Sequence, residues 1–421
     1  MGEFDDIVTA LRESPVTQAF TEMSVSGDFS ALDANQAKRH HFLPQLLLRR
    51  FAFERDGGDG IFQMGVTGRG APRRVGLRGA ASRKRFYSIP DGEGGLSNRH
   101  EGYLALIERH AAPALDSLLA DPDSLQPGDR ATIAFFCAIQ TGRTPAAAEQ
   151  VTAVAGLALQ NAVDEMVSDR AAFADRYRDF AEGDASETDI EALREEIVES
   201  VREEKLRVVA GPGGAIAEGL SHAIELVPAI IGFEWTLLRS RSGGFVTSDR
   251  GYSIHDPNPP VPWAAQGILS SDDSETAIPL GDDACLLLRP GSMGASLSGR
   301  EVGPEEVEAI NLRIYGWADR YVFGKTQAGL VALQGIARRR PAAVDRPRPF
   351  CQAIMIRPDP EDDHLARANV ARGWPAYVAN EAGERRDYVV IEVGKGEGPR
   401  RRKVERLAES RDRRWAASAL G

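Results

Sequence analysis

Cysteine is scarce in this chain. Three among 421 residues, Cys137, Cys285 and Cys351, stand far apart and form no CxxC pair. That argues against a cysteine zinc site and a disulfide framework, and fits a reducing compartment. Long apolar runs are missing too. The best, Leu226–Phe233, falls far short of the roughly 18 residues a bilayer demands. No membrane span is therefore expected. Met1–Glu13 carries acids where the first residues of a signal peptide carry lysine or arginine, so no secretory leader is expected and the cytoplasm is the expected compartment. No internal repeat is visible. The glycines at 211–214 are not followed by Gly-Lys-Ser/Thr, which excludes a P-loop there. HExxH and Gly-x-Ser-x-Gly are both missing.

Positive charge is in deficit as well. The formal net charge is −11, so the molecule as a whole is no general nucleic-acid binder, and only local basic patches can serve that role. The hydrophobic share, 42%, suits a globular fold with length enough for two domains or one large domain with an appendage.

Among what is present, the chemically richest stretch is Lys38–Phe53. It opens on adjacent histidines, His40 and His41, breaks at Pro44, and continues as an apolar run. Proline fits the first turn of a helix, so the imidazoles should sit just before a helix over about 45–53. Residues 57–90 are glycine-rich with short, spaced apolar positions and read as a β-hairpin. Between Arg69 and Arg85 lie seven basic residues and no acid: Arg69, Arg73, Arg74, Arg78, Arg83, Lys84 and Arg85. That pattern is either an anion-binding face or a solvated hairpin surface.

Helical spacing of Leu104, Ile107, Ala111, Leu115 and Leu118 predicts a helix over 97–120. It would align Glu101 and Glu108 beside an apolar stripe, as an acid/base pair, metal ligands, or solvated edge residues. Residues 128–206 read as helical. Arg143 and Thr144-Pro145 lie between the first two helices, Glu182–Glu187 forms an acidic hinge, and Thr188–Glu191 has capping-box spacing. Phe233–Arg239 and Gly244–Ser248 read as a hairpin ending at Asp249. Residues 254–282 read as a long loop, and Cys285–Leu288 as a buried strand. A helix from Pro304 to about Val322 would hold Asn311 in the middle of its apolar stripe. A buried amide needs a partner: a backbone edge, water, a ligand or a catalytic group.

Residues 1–37 read as a loose N-terminal arm. Residues 336–421 read as an extension: a linker at Arg338–Arg340, strands at Cys351–Ile356 and Tyr388–Val393, and a basic tail with nine cations between Lys395 and Arg414. The expected fold class is α+β, with a mostly helical domain over 38–335, a small antiparallel sheet, and a short β-containing C-terminal extension.

Several of these pieces, in this order, resemble the domain of unknown function 4238 family over about residues 38–325. They are His40-His41-Phe-Leu-Pro-Gln with Leu48-Arg-Arg-Phe-Ala52, Arg85-Phe-Tyr87, Glu101 with Glu108, and Gln140-Thr-Gly-Arg-Thr-Pro145. Next come Trp235, Phe245-Val-Thr-Ser-Asp249, Ile278-Pro-Leu280, and Ile310-Asn311 leading to Ala318-Asp-Arg-Tyr-Val-Phe323. The family usually carries a proline soon after the Ser-Asp step; here Arg250-Gly251 stands instead. The resemblance implies one fold over the span and brings no reaction with it.

Two functions fit these residues. In the first, His40, His41, Glu101, Asp249 and Asn311 serve a phosphoester hydrolase of nuclease type. His41, Glu101, Glu108 and Asp249 hold a divalent ion (Mg²⁺, Mn²⁺ or Zn²⁺), and Arg74, Arg78, Arg85, Arg143 and Arg320 meet the anion. In the second, the protein binds nucleic acid or an acidic partner without chemistry. The histidines and Asn311 then satisfy core polar groups, and Asp249 accepts turn amides. The sequence sets no oligomeric state.

Overall fold

A computed structural model of the chain describes residues 3–33, 37–54, 59–67, 70–91, 95–152, 166–167, 169–180, 186–202, 212–257, 272–290, 296–341, 344, 355–356, 376–379 and 385–389. Arg69, most of the acidic hinge, residues 258–271 of the expected loop, Cys351–Ile354 of the first expected C-terminal strand and the basic tail lie outside the described residues. The chain divides into two units: residues 1–149, 211–260 and 266–347 form the first, and 150–210, 261–265 and 348–421 the second. The family-like span therefore includes the 150–210 segment, which falls in the second unit.

The first unit begins with helices α1 (Glu3–Glu13), α2 (Pro15–Ser26) and α3 (Ser30–Asp33), followed by strand β1 (Arg39–His41) and helix α4 (Gln45–Arg50). The N-terminus is therefore not a loose arm. Pro15 opens α2, and Ser14, fully buried before it, shares a 3.0 Å hydrogen bond with Thr132. The partner is 118 residues away, so local sequence could not announce the docking.

Strands β2 (Gly60–Gly65), β3 (Arg73–Gly76), β4 (Ser82–Lys84), β5 (Ile89–Pro90) and β6 (Leu96–Ser97) follow, then helices α5 (Arg99–Ala120) and α6 (Pro127–Gly142). The expected hairpin is present as β2 against β3, whereas β4 pairs with β1. Helix α6 is the centre of the unit. Every residue from Ala131 to Gln140 is buried, as befits a helix apolar on all sides. Helix α7 (Pro212–Glu225) crosses it where Gly142 meets Gly219: a Cβ on Gly142 would stand 2.2 Å from the Gly219 oxygen. Helix α8 (Val227–Gly232) follows. By length and composition one helical stretch among the described residues, Gly214–Gly232, is apolar enough to cross a membrane; here it lies against α6.

The remaining strands are β7 (Glu234–Arg239), β8 (Thr247–Ser248), β9 (Ser253–His255), β10 (Glu275–Gly281), β11 (Ala284–Arg289) and β12 (Leu297–Glu301). Helix α9 (Pro304–Trp317), strand β13 (Tyr321–Gly324) and helix α10 (Gln327–Arg339) complete the unit. A five-stranded sheet runs β12-β7-β11-β10-β9 and a four-stranded sheet β3-β2-β13-β8. All pairs are antiparallel except β12 with β7.

Three expectations change here. Residues 233–248 are not a hairpin, because β7 pairs with β11 and β12 while β8 pairs with β13 in the other sheet. The expected loop at 254–282 contains β9 and β10, and β10 is buried along its whole length. Helix α9 stops at Trp317, and its anticipated last turn is strand β13. Glu275, buried on β10, takes ion pairs from Arg289 and Arg313, which hold the sheet to α9.

In the second unit, helices Arg170–Phe180 and Glu187–Arg202 close on Val167, Phe173 and Ile190. The second helix is capped by Ser186, whose hydroxyl receives the Asp189 amide and bonds the Asp189 carboxylate, not by the predicted Thr188–Glu191 box. Short strands at Met355–Ile356, Ala376–Ala379 and Arg385–Val389 pair as a three-stranded sheet. The described chain is mostly helical with several small sheets, rather than the one sheet expected.

Candidate functional site

Strand β1 turns both imidazoles inward. His40 uses both ring nitrogens: Nδ1 accepts the Tyr87 amide at 2.8 Å, so Nε2 carries the proton and donates to the Ala37 carbonyl at 2.9 Å. The ring also stacks on Tyr87 at 5.5 Å. His41 lies 3.3 Å from the Leu77 carbonyl, and the Gln45 amide nitrogen lies 3.3 Å from its ring nitrogens. Burial holds both histidines below the ordinary imidazole range, so both are neutral.

Behind them stands Arg143, at the end of α6 and 1% exposed. It donates to the His41 carbonyl at 2.7 Å, to Glu108 at 2.7 Å and to the Tyr87 hydroxyl at 3.4 Å. The Tyr87 hydroxyl in turn donates to the Arg143 carbonyl at 2.9 Å. Glu101, two turns before Glu108 on α5, is half-buried, and its Oε2 has no hydrogen-bond partner. Burial raises its carboxyl to about 7; Arg143 opposes that rise and Glu108 adds to it. The structure therefore brings the His41 main chain, Glu101, Glu108 and Arg143 together around Tyr87.

Asp249 and Asn311 belong to a second cluster. Asp249, at the end of β8, accepts three successive amides, from Asp319 at 2.8 Å, Arg320 at 2.7 Å and Tyr321 at 3.0 Å. Burial raises its carboxyl to about 6 while those amides pull the other way. Asn311 receives the Val246 amide at 3.0 Å and donates to the Gly244 carbonyl at 2.8 Å, so its partner is a backbone edge. Arg320 gives Asp249 its main-chain amide, and its exposed side chain lies beside Asp319. Gln140 joins the two clusters: its amide nitrogen donates to the Phe42 carbonyl at 3.0 Å and the Arg250 carbonyl at 2.9 Å.

Tyr87 and Gln140 carry much of this geometry, and sequence reasoning assigned neither a role. The available signal was a lone amide in an otherwise apolar helix and a tyrosine closing the basic run. Among the described residues no group of three or more His, Cys, Asp or Glu side chains could hold a metal ion. His41, Glu101, Glu108 and Asp249, predicted as ligands, do not gather as one.

The basic run includes β4, which pairs with β1, and β3, which belongs to the four-stranded sheet. The β1–β4 register sets Arg39 against Lys84 and His40 against Arg83. Lys38, Arg39, Arg73, Arg74, Arg78, Lys84 and Arg85 are exposed. Among the described residues no carboxylate pairs with any of them or with Arg83, although arginines elsewhere in the unit do find acids: Arg50 with Asp116, Arg99 with Asp33, Arg241 with Glu301. Arg74 rests over Phe53 and Phe62, and Arg83 over Phe86, which fixes the stems of these cations. Ala81 and Arg85, the two non-glycine residues with positive φ among those described, flank β4 at 44° and 53°.

What the site defines is a helix-rich protein with a buried polar hub and a run of cations between Lys38 and Arg85 that no described carboxylate pairs. Residues 39–328 match the family described as Protein of unknown function (DUF4238), and the chain belongs to that family. No curated protein and no solved structure matches it.

Proposed function

We propose that this is an α+β, non-catalytic regulatory protein that binds nucleic acid through the ribbon of Lys38, Arg39, Arg73, Arg74, Arg78 and Arg83–Arg85. The observation that carries the reading is the missing counter-charge. A protein of net charge −11 has acids to spare, yet leaves eight cations of the segment 38–85 without a carboxylate among the described residues. Like charges set opposite each other, as Arg39 and Lys84 are, weaken a strand pair unless an anion lies across them. The left-handed backbone at Arg85 is a further local cost concentrated at the same place. On this reading the hub is the rigid support of the ribbon. The buried thiols Cys137 and Cys285 fit work in the cytoplasm.

Binding of fluorescent single- and double-stranded oligonucleotides, followed by anisotropy against salt, tests it. Affinity should fall steeply with salt, and the double variant Arg78→Glu, Lys84→Glu should flatten the log–log slope by about 2, near 0.9 per phosphate contact. Salt-independent binding, or a double variant that binds as tightly as wild type, overturns the reading.

One observation favours hydrolysis as a second reading: Glu101 has a free, shielded oxygen and is poised to exchange a proton near neutral pH. A nuclease assay on DNA and RNA with Mg²⁺ or Mn²⁺ decides it. Cleavage lost in Glu101→Gln, His41→Ala and Asp249→Ala would replace the binding reading; wild type that cleaves nothing removes the hydrolase.

A further inference from the structure

The cations of the basic segment are of two kinds. Lys38, Arg39, Arg73, Arg78, Lys84 and Arg85 are exposed and meet no aromatic ring among the described residues. Arg74 and Arg83 are backed by phenylalanine. The Arg74 guanidinium carbon lies 5.5 Å from the centre of the Phe53 ring and 5.4 Å from that of Phe62, and the Arg83 carbon lies 5.5 Å from that of Phe86. Phe62 and Phe86 are buried, while Arg74 is exposed and Arg83 half-buried. The guanidiniums, not the rings, are therefore the groups a ligand can meet.

One tight turn ties these two arginines together. β3 ends at Gly76, whose carbonyl accepts the Ala80 amide at 3.2 Å, and β4 begins at Ser82. The turn is held to β1: the Leu77 carbonyl lies 3.3 Å from His41 Nε2, and the Ala81 carbonyl accepts the Phe42 amide at 3.0 Å. Chain geometry then keeps the Cα atoms of Arg74 and Arg83 within roughly 25 Å of each other, inside the reach of one oligonucleotide.

The same frame selects the kind of nucleic acid. Reading a duplex from its groove takes a helix or a two-stranded ribbon that stands out from the protein. None of the eight cations stands on a helix. The β1–β4 pair spans three residues per strand, and it is packed down by His40 and His41 on β1 and by Phe86 and Tyr87 just after β4, all buried. It is too short and too low to enter a groove. An unpaired base offers a flat face instead, and such faces stack on guanidinium planes as they do on aromatic rings. A ring behind the guanidinium restrains its stem, so less freedom is lost when a base covers it.

Resting on the reading of this segment as a nucleic-acid site, we propose that its ligand is a single strand. Bases stack on Arg74 and Arg83, and phosphates go to the unbacked cations, Arg78 and Lys84 among them.

Anisotropy titrations of the full chain test this with three probes at one salt concentration: a mixed-sequence strand, the same strand annealed to its complement, and an abasic strand of equal length. The mixed strand should bind about tenfold more tightly than either of the others, in keeping with the stacking of one or two bases. The double variant Arg74→Lys, Arg83→Lys keeps both charges and loses both planes. Its affinity for the mixed strand should fall about tenfold, with the salt slope and the abasic affinity unchanged. The two single variants carry the same test if the double variant melts early. Duplex or abasic strand bound as tightly as the mixed strand, lysine variants that bind like wild type, or variants that lose both strands alike overturn this inference and leave the nucleic-acid reading in place. Wild type that binds no oligonucleotide removes both.

Discussion

Arg143 donates to the main-chain oxygen of His41, 102 residues away in sequence, at 2.7 Å. The bond fixes the inner edge of β1 to the end of the central helix. The same strand pairs with β4, which carries Arg83 and Lys84, so a buried guanidinium is tied through β1 to part of the exposed basic segment.

Replacing Arg143 should therefore be costly. Arg143→Met leaves Glu108 and the His41 carbonyl without their partner and should destabilise the fold by about 3 kcal/mol. Arg143→Lys can reach only part of the planar set and should still lose about 2 kcal/mol. Urea denaturation of the two variants measures both, and a lysine variant as stable as wild type would contradict the geometry.

Asp249 clamps three amides at the start of β13. Asp249→Asn presents an NH₂ where an acceptor is required, and should cost about 2 kcal/mol. Oligonucleotide affinity of the folded variant should not change, because the Asp249 carboxylate is buried and spends both oxygens on main-chain amides. A shift in urea midpoint together with unaltered anisotropy checks the pair of outcomes.

Glu101 links stability to pH. Its carboxyl, near 4.5 when unfolded, is raised to about 7 in the fold. Between those values the native state holds a proton that the unfolded chain releases. Stability therefore falls as pH rises through this window and levels off above it. Glu101→Gln imitates the protonated form. The stability of wild type relative to this variant should drop by about 2 kcal/mol from pH 5 to pH 8. A difference between the two that does not vary with pH would show Glu101 to be ordinary.

Arg85 separates folding from binding. Arg85→Gly relieves a left-handed backbone and should raise stability by up to about 1 kcal/mol. The same change removes a ribbon cation and should weaken oligonucleotide binding. Opposite movements of melting temperature and affinity are the expected result; parallel losses would show the side chain to be structural.

The helices were the most legible part of the sequence, because α5 and α6 state their buried faces through spacing that needs no partner. The aligned carboxylates of α5 and the buried amide of Asn311 could be read the same way. Strand pairing could not. β7 and β8 are neighbours in the chain and looked like a hairpin, yet each found its partner farther on, at β11 and β13. The roles of Tyr87 and Gln140 were equally hidden, since each bonds to main-chain atoms that sequence does not place.

Sequence alone determined the charge of the basic segment, the position of the histidines before Pro44, and family membership, because these depend on residue type and order over short spans. Only the tertiary structure decided which groups are left unpaired. Whether a carboxylate reaches Arg78 or a donor reaches Glu101 depends on chain segments far away in sequence. Hydrogen bonds and ion pairs act over a few ångströms, so their partners exist only once the chain has folded.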